Sequence, residues 1–240
     1  MWQADEKILG IIGGMGPLAT QLFYRQIIDM TDAHCDQEHL NMMILNHASM
    51  PDRTSAILKG DTADLEMRLI ADAKHLEANG ACAIAMPCNT SHYFAEKIQA
   101  AIGIPFVNMI KETVKVIADN PRQMKKVGIL ATTGTIKTGL YQKEFEKVGI
   151  QAIAPSEEGQ AEVMRIIYDG IKEGGPIDYN RFLDIENELA SKGCQAAILA
   201  CTELSVFKEQ FRLPPYYVDA MEVLSAAAIT ACGKPLKQKK

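Results

Sequence analysis

Short apolar runs that alternate with longer stretches of helical period leave this chain few folds to choose from. The runs at 8–12, 42–45, 83–86, 105–107, 127–130, 151–154, 196–199 and 217–218 read as buried strands. Between them, helical spacing falls near 18–31, 61–78, 91–101, 111–119, 137–147, 159–172, 178–191, 203–210 and 220–231. That alternation is the pattern of a mostly parallel sheet covered by helices, so the fold class is α/β. Pro17 suits a first helical turn, and Gly80, Gly149 and Gly193 serve as stop signals.

The chain also echoes itself. Leu9-Gly-Ile-Ile-Gly-Gly-Met-Gly16 resembles Val127-Gly-Ile-Leu-Ala-Thr-Thr-Gly134, and Ala83-Ile-Ala-Met-Pro-Cys-Asn-Thr-Ser91 resembles Ala196-Ala-Ile-Leu-Ala-Cys-Thr-Glu-Leu204. A phenylalanine follows each member of the second pair, Phe94 and Phe207. The two separations are similar and near half the chain, which points to a duplicated α/β unit. With the halves related by a pseudo-two-fold axis, Cys88 and Cys201 occupy equivalent places and can face each other across a cleft between two similar lobes.

Composition bounds what such a protein can do. At 240 residues, with 48% apolar and 23% charged side chains, the chain can fill one large domain or two small ones. A net charge of −5 without a long basic run argues against nucleic-acid binding, and the terminal Lys237-Gln-Lys-Lys240 reads as a solvated end. No run approaches the roughly eighteen apolar residues of a membrane span. Met1-Trp-Gln-Ala-Asp-Glu-Lys7 puts two acids where a signal peptide needs a basic start, so a cytoplasmic location is expected. The six cysteines show no CxxC spacing and read as thiols of a reducing compartment.

Two cysteines stand apart from the rest. Cys88 and Cys201 each follow a buried strand and precede a helical stretch. Strand carboxyl ends are where open parallel sheets place ligands, and a helix N-terminus favours a thiolate, so both thiols are expected to be poised. Cys35, Cys82, Cys194 and Cys232 read as small core residues. His92, four residues after Cys88, reads as a helix-surface or satisfied core histidine. His34, His39, His47 and His75 lack ligand spacing, and no metal is expected.

Gly13-Gly-Met-Gly-Pro17, Met50-Pro-Asp-Arg53, Pro87-Cys-Asn-Thr90, Ala131-Thr-Thr-Gly-Thr135 and Ala200-Cys-Thr-Glu-Leu204 occur in that order. Together they resemble the aspartate/glutamate racemase superfamily, and most of all its aspartate racemase branch, over residues 7 to 232. The glutamate racemase branch typically carries Cys-Thr-His where this chain has Cys201-Thr-Glu203, a departure that points away from that branch.

The resemblance implies two lobes, residues 1–108 plus 215–240 and residues 109–214, with the C-terminal helix crossing back onto the first. It implies racemisation of a small acidic amino acid, aspartate or also glutamate, with no cofactor, by a homodimer. Cys88 and Cys201 would be the catalytic pair, one thiolate removing the α-proton while the opposite thiol protonates the other face. Hydrogen-bond donors around the α-carboxylate would replace an electron sink. Asn89, Thr90, Ser91, Thr132, Thr133, Thr135 and Thr202 are the candidates by position, each also an ordinary capping residue type. Arg53 and Lys172 match the family's cations for the distal carboxylate; read without it, they are a loop arginine and a late-helix lysine. Glu203 is a supporting residue that can tune Cys201 or stabilise its own helix.

Ile11-Ile-Gly-Gly-Met-Gly-Pro-Leu-Ala-Thr20 also satisfies Gly-x-Gly-x-x-Ala, a dinucleotide fingerprint, from Gly14. That fold needs an acid at the end of the next strand, where this chain has Leu45-Asn46-His47; Asp32, Asp36 and Glu38 fall before it. The glycines instead read as a close backbone approach to a small substrate, with Met15 at its edge. Rival readings are a hydantoin racemase, a decarboxylase or isomerase of small dicarboxylates, and a non-catalytic module that binds an acidic metabolite.

Overall fold

All eight apolar runs form strands: β1 (Ile8–Gly13), β2 (Asn41–Asn46), β3 (Ala83–Ala85), β4 (Phe106–Val107), β5 (Lys126–Ala131), β6 (Gln151–Ile153), β7 (Ala196–Ala200) and β8 (Tyr217–Asp219). They pair into two four-stranded sheets of identical order, β2-β1-β3-β4 and β6-β5-β7-β8, parallel throughout. The computed structural model describes residues 6–120 and 122–238. Residues 1–5, on which the leader reading partly rested, and the last two lysines of the basic tail lie outside the described residues.

Helical crossovers are what a parallel ladder requires, and they cover the sheets. The inner strands β1, β3 and β7 are buried at every position, whereas the edge strand β2 alternates partly buried and exposed residues. In the first sheet, helix Ala63–Ala78 lays Leu65, Leu69, Ala73 and Leu76 against Ile12 and Ile84. The echo has a packing cause. A side chain at Gly10 would sit 3.0 Å from Leu76 Cβ, and one at Gly128 would sit 2.6 Å from Leu189 Cδ1, so each glycine lets a helix lie directly on its sheet.

The chain divides into two compact units: residues up to Met109 with those from Met221 onward, and Ile110–Ala220. The return was expected at residue 215. It falls later because β8 first extends the second sheet, pairing Tyr217 to Asp219 with Ala197 to Leu199, and Tyr217 donates its hydroxyl to Glu186 at 2.5 Å. Helix Ala220–Ala231 then returns to the first unit, where Ser225 Oγ lies 3.0 Å from Gln26 Oε1. The tail beyond it is strapped down by backbone bonds from Asp32 N–H to Pro235 and from Lys237 N–H to Met30.

Four helical expectations shift. Arg53 is not a loop residue: it opens helix Arg53–Lys59, capped by Asp52, whose carboxylate accepts from Ser55 N–H at 2.7 Å. The helix expected from 137 begins at Thr133, capped by the Thr132 hydroxyl. The segment after Cys88 starts as a 3-10 turn, Thr90–Phe94, before helix Ala95–Ala101. The stretch expected over 159–172 widens from α-helix Glu157–Arg165 into a π-helical turn, Ile166–Lys172.

Gly14 shows why the glycine-rich loop is glycine-rich. Its φ is +90°, and a Cβ there would lie 2.5 Å from the His47 backbone, so the close approach is made by the chain's own turn after β2. Gly60, with φ +73° and open space around it, is the natural control. Gly14→Ala should cost about 3 kcal/mol or more against about 1 kcal/mol for Gly60→Ala in urea unfolding. Equal costs would contradict the clash.

Candidate active site

In the first unit the carboxyl ends of β1 and β3 carry the candidate residues, since Leu9 to Ile11 pair with Ala83 to Ala85. Beyond β3 the chain makes a tight turn, Cys88 N–H bonding to Met86 O at 2.8 Å, and leaves Cys88 only 5% exposed. Ser91 Oγ lies 3.2 Å from Cys88 Sγ and 3.3 Å from Met15 Sδ, one hydroxyl proton shared between two sulfur acceptors. Arg53 turns its guanidinium onto backbone oxygens, Pro51 O at 3.2 Å and Met15 O at 3.4 Å. Arg53, Met15, Ser91 and Cys88 thus form one continuous line of contacts, with Asn89 and Thr90 buried in the same turn.

His92 is the satisfied core histidine. With Nδ1 2.9 Å from Cys88 O and Nε2 accepting from Met109 N–H at 3.0 Å, the neutral ring ties the Cys88 turn to the start of helix Met109–Ala118. Burial lowers its pKa to about 4, outweighing the bonds that favour the charged form. Thr20 holds the glycine-rich loop in a similar way, accepting from Gly14 N–H and donating to Gly16 O, both at 2.9 Å.

The second unit repeats the plan with different chemistry. Ala131 pairs with Ala200, so Thr132 and Cys201 follow neighbouring strand ends. Thr132 and Thr135 are joined at 3.1 Å, and Thr133 N–H faces Met164 Sδ at 3.2 Å while Gln160 reaches Ala131 O. Cys201, 6% exposed, occupies the residue just before helix Thr202–Phe211 and donates its thiol to Glu203 Oε2 at 2.9 Å. Thr202 Oγ1 lies 3.4 Å from that same oxygen. The other carboxylate oxygen of Glu203 is 3.3 Å from Lys172 Nζ, which also lies 5.0 Å from the Tyr168 ring.

Two opposing effects meet at Cys201. A helix N-terminus favours an anion by about 0.3–1 kcal/mol. Burial of a charge costs several kcal/mol, and here a carboxylate stands beside it. Burial therefore pushes the Cys201 thiol well above its usual range, with the Glu203 charge and hydrogen bond adding to the rise and Lys172 offsetting only part. Cys201 thus donates to a carboxylate, whereas the Ser91 hydroxyl donates toward Cys88, so the two thiols stand in dissimilar surroundings.

Of the other cysteines, Cys194 and Cys232 are buried as expected, but Cys35 is exposed and Cys82 is partly so. His47 joins Asp72 at 2.8 Å, a link the sequence did not suggest. Among the described residues no group of three or more His, Cys, Asp or Glu is placed to hold a metal ion, and no helix is long and apolar enough to cross a membrane.

Comparison with known proteins matches residues 12–228 to the family described as Asp/Glu/Hydantoin racemase. The broad specificity amino-acid racemase of Bacillus subtilis (strain 168) is 29% identical over 228 residues, covering 93% of this chain and 97% of the relative. Among solved structures, the Picrophilus torridus aspartate racemase superposes with a TM-score of 0.81 at 32% identity, covering 96% of each chain. An aspartate racemase homologue from Pyrococcus horikoshii OT3 gives 0.76 at 26% identity, over 95% of this chain and 99% of that one.

Two consequences of the geometry can be measured. Unfolded His92 titrates near 6.5 and folded His92 near 4, so the unfolded chain holds more protons between those values. Stability should fall as pH drops from about 6.5 to about 4, by up to about 3 kcal/mol from this group. Urea titrations of the wild type and His92→Gln should diverge in that window; parallel curves would contradict the buried neutral ring. In Glu203→Gln, the ionisation of Cys201, followed by the pH dependence of its alkylation, should move to lower pH by about one unit or more. An unchanged or higher midpoint would remove Glu203 from control of the thiol.

Proposed function

Because the chain belongs to the Asp/Glu/hydantoin racemase family and is an enzyme of the amino-acid racemase class, we propose that it interconverts L- and D-aspartate, and also glutamate, by passing protons through Cys88 and Cys201 without a cofactor. The observation that carries this reading is the pairing of opposite hydrogen-bonding roles at corresponding strand ends. Cys88 Sγ accepts a hydrogen bond from the Ser91 hydroxyl, and the Cys201 thiol donates one to the Glu203 carboxylate.

In this reading the Cys88 thiolate takes the α-proton of one enantiomer while the Cys201 thiol protonates the opposite face of Cα. The reverse direction needs Cys201 as thiolate beside Glu203, and the Lys172 ammonium supplies the compensating charge. Negative charge developing toward the α-carboxylate is met by donors of the Asn89–Ser91 turn, by Thr132, Thr133 and Thr135, and by Thr202. Arg53 takes the distal carboxylate, exchanging its backbone contacts for a paired charge-assisted contact. Lys172 joins it only to the extent that it leaves Glu203, which couples substrate charge to the state of Cys201. Met15, held between Ser91 and Arg53, borders the substrate. Aspartate is preferred here because the Picrophilus torridus structure is that of an aspartate racemase; the broad specificity named for the Bacillus subtilis relative sets the panel to be tried.

Cys88→Ala and Cys201→Ala should each lower racemisation of aspartate by about 10²–10⁴-fold. Chiral chromatography from both enantiomers of aspartate, glutamate and a neutral amino acid is the measurement, with circular dichroism to confirm folding. Either folded variant racemising at the wild-type rate would overturn the two-thiol reading.

A further inference from the structure

Cys82 and Cys232 are far apart in the chain and adjacent in space, their sulfurs 3.6 Å apart and 150 residues removed in sequence. Both backbones are fixed. Cys82 N–H bonds to Ile8 O at 2.8 Å at the entry to β3, and Cys232 N–H bonds to Ala228 O at 3.2 Å at the end of helix Ala220–Ala231. The tail that follows is pinned by the Thr31–Leu236 bridge and by Lys237 N–H to Met30 O. The meeting of the thiols is therefore a property of the fold and not of a loose end.

We propose that Cys82 and Cys232 form an oxidation-sensitive dithiol, separate from Cys88 and Cys201, that closes to an intramolecular disulfide when a hydroperoxide or a small disulfide reaches Cys82. A disulfide needs its sulfurs about 2.05 Å apart, so sulfurs at 3.6 Å need to approach by only about 1.5 Å. Exposure assigns the roles: Cys82 is partly exposed and meets the oxidant, whereas Cys232 is buried behind it. Burial, together with the neighbouring Cys82, raises the Cys232 thiol to about 12, with Lys7 offsetting part, so Cys232 stays protonated and unreactive toward solvent oxidants and reacts only with the adjacent, already oxidised Cys82 sulfur.

With a hydroperoxide, the Cys82 sulfur attacks the O–O bond and becomes a sulfenic acid, and the peroxide is reduced to water or an alcohol. Cys232 sulfur then attacks the Cys82 sulfur, the S–O bond breaks, and the departing oxygen leaves as water with the Cys232 proton. Two thiols are oxidised for each peroxide reduced. With a small disulfide, Cys82 forms a mixed disulfide and Cys232 displaces the second small thiol. The link would join the C-terminal helix to the strand leading toward Cys88, closing a loop that contains the whole second unit. Constraining so long a loop stabilises the fold chiefly through the unfolded chain.

The test uses the full chain carrying Cys35→Ser, so that the exposed thiol cannot link molecules. After treatment with hydrogen peroxide or oxidised glutathione, non-reducing peptide mass spectrometry should show Cys82 joined to Cys232. Reduction should reverse the link, and the oxidised form should melt several degrees higher. With Cys232→Ser, glutathione should instead remain on Cys82 as a stable mixed disulfide. The proposal is overturned if Cys82 is modified while Cys232 still alkylates as a free thiol. It is equally overturned if both stay reduced under conditions that fully oxidise Cys35 in the parent protein. None of these readouts depends on racemase activity.

Discussion

Parallel pairing of β1 with β3 and of β5 with β7 is the constraint on which the rest of this structure depends. A parallel ladder sends each chain back through a helix and leaves the carboxyl ends of its strands together at one edge. Met15 and Cys88 come from that edge of the first sheet, and Thr132 and Cys201 from that edge of the second. Gly10 and Gly128 let helices seat directly on the sheets, so the strand ends are held by packed cores. The catalytic candidates are thus presented by rigid elements with short turns.

On this shared plan the two units differ in charge. The first sets its thiol beside a hydroxyl, with a neutral buried histidine on the carbonyl of the same residue, and keeps Arg53 nearby on backbone carbonyls. The second sets its thiol against a carboxylate that is itself shared with a lysine. The shared plan places a thiol after the third strand of each sheet, and divergence of their neighbours gives the two thiols different hydrogen-bonding surroundings. By the resemblance, Glu203 stands where the glutamate racemase branch carries histidine, so Cys201 here donates to a carboxylate instead of facing an imidazole.

Much of this was legible in the sequence, for identifiable reasons. The buried runs are too short for helices and alternate with helical stretches, and the echo of Pro87-Cys88-Asn89 with Ala200-Cys201-Thr202 singled out the thiols. The helix at Arg53 was hidden because Met50-Pro51-Asp52 reads as a turn, although Asp52 followed by Ser55 is a capping signal. Other features arise only from tertiary contact. His92 meets Met109 through the packing of a later helix, Lys172 meets Glu203 from a separate element, and the ionisation of Cys201 follows from burial and one carboxylate orientation. The Cys82–Cys232 contact joins residues 150 apart in the chain and leaves no local trace.

The central claim is that two different thiols handle the two faces of one carbon. It is tested most directly by incubating wild-type protein with L-aspartate in deuterium oxide and stopping early. Product and recovered substrate are then separated chirally, and each is assayed for deuterium at Cα. With separate bases, the proton taken from one face stays on its own thiol while solvent-derived deuterium arrives from the other. The D-aspartate formed should therefore carry deuterium and the recovered L-aspartate should keep protium. Deuterium entering recovered substrate as fast as product forms would mean that a single group serves both faces, and would contradict the account.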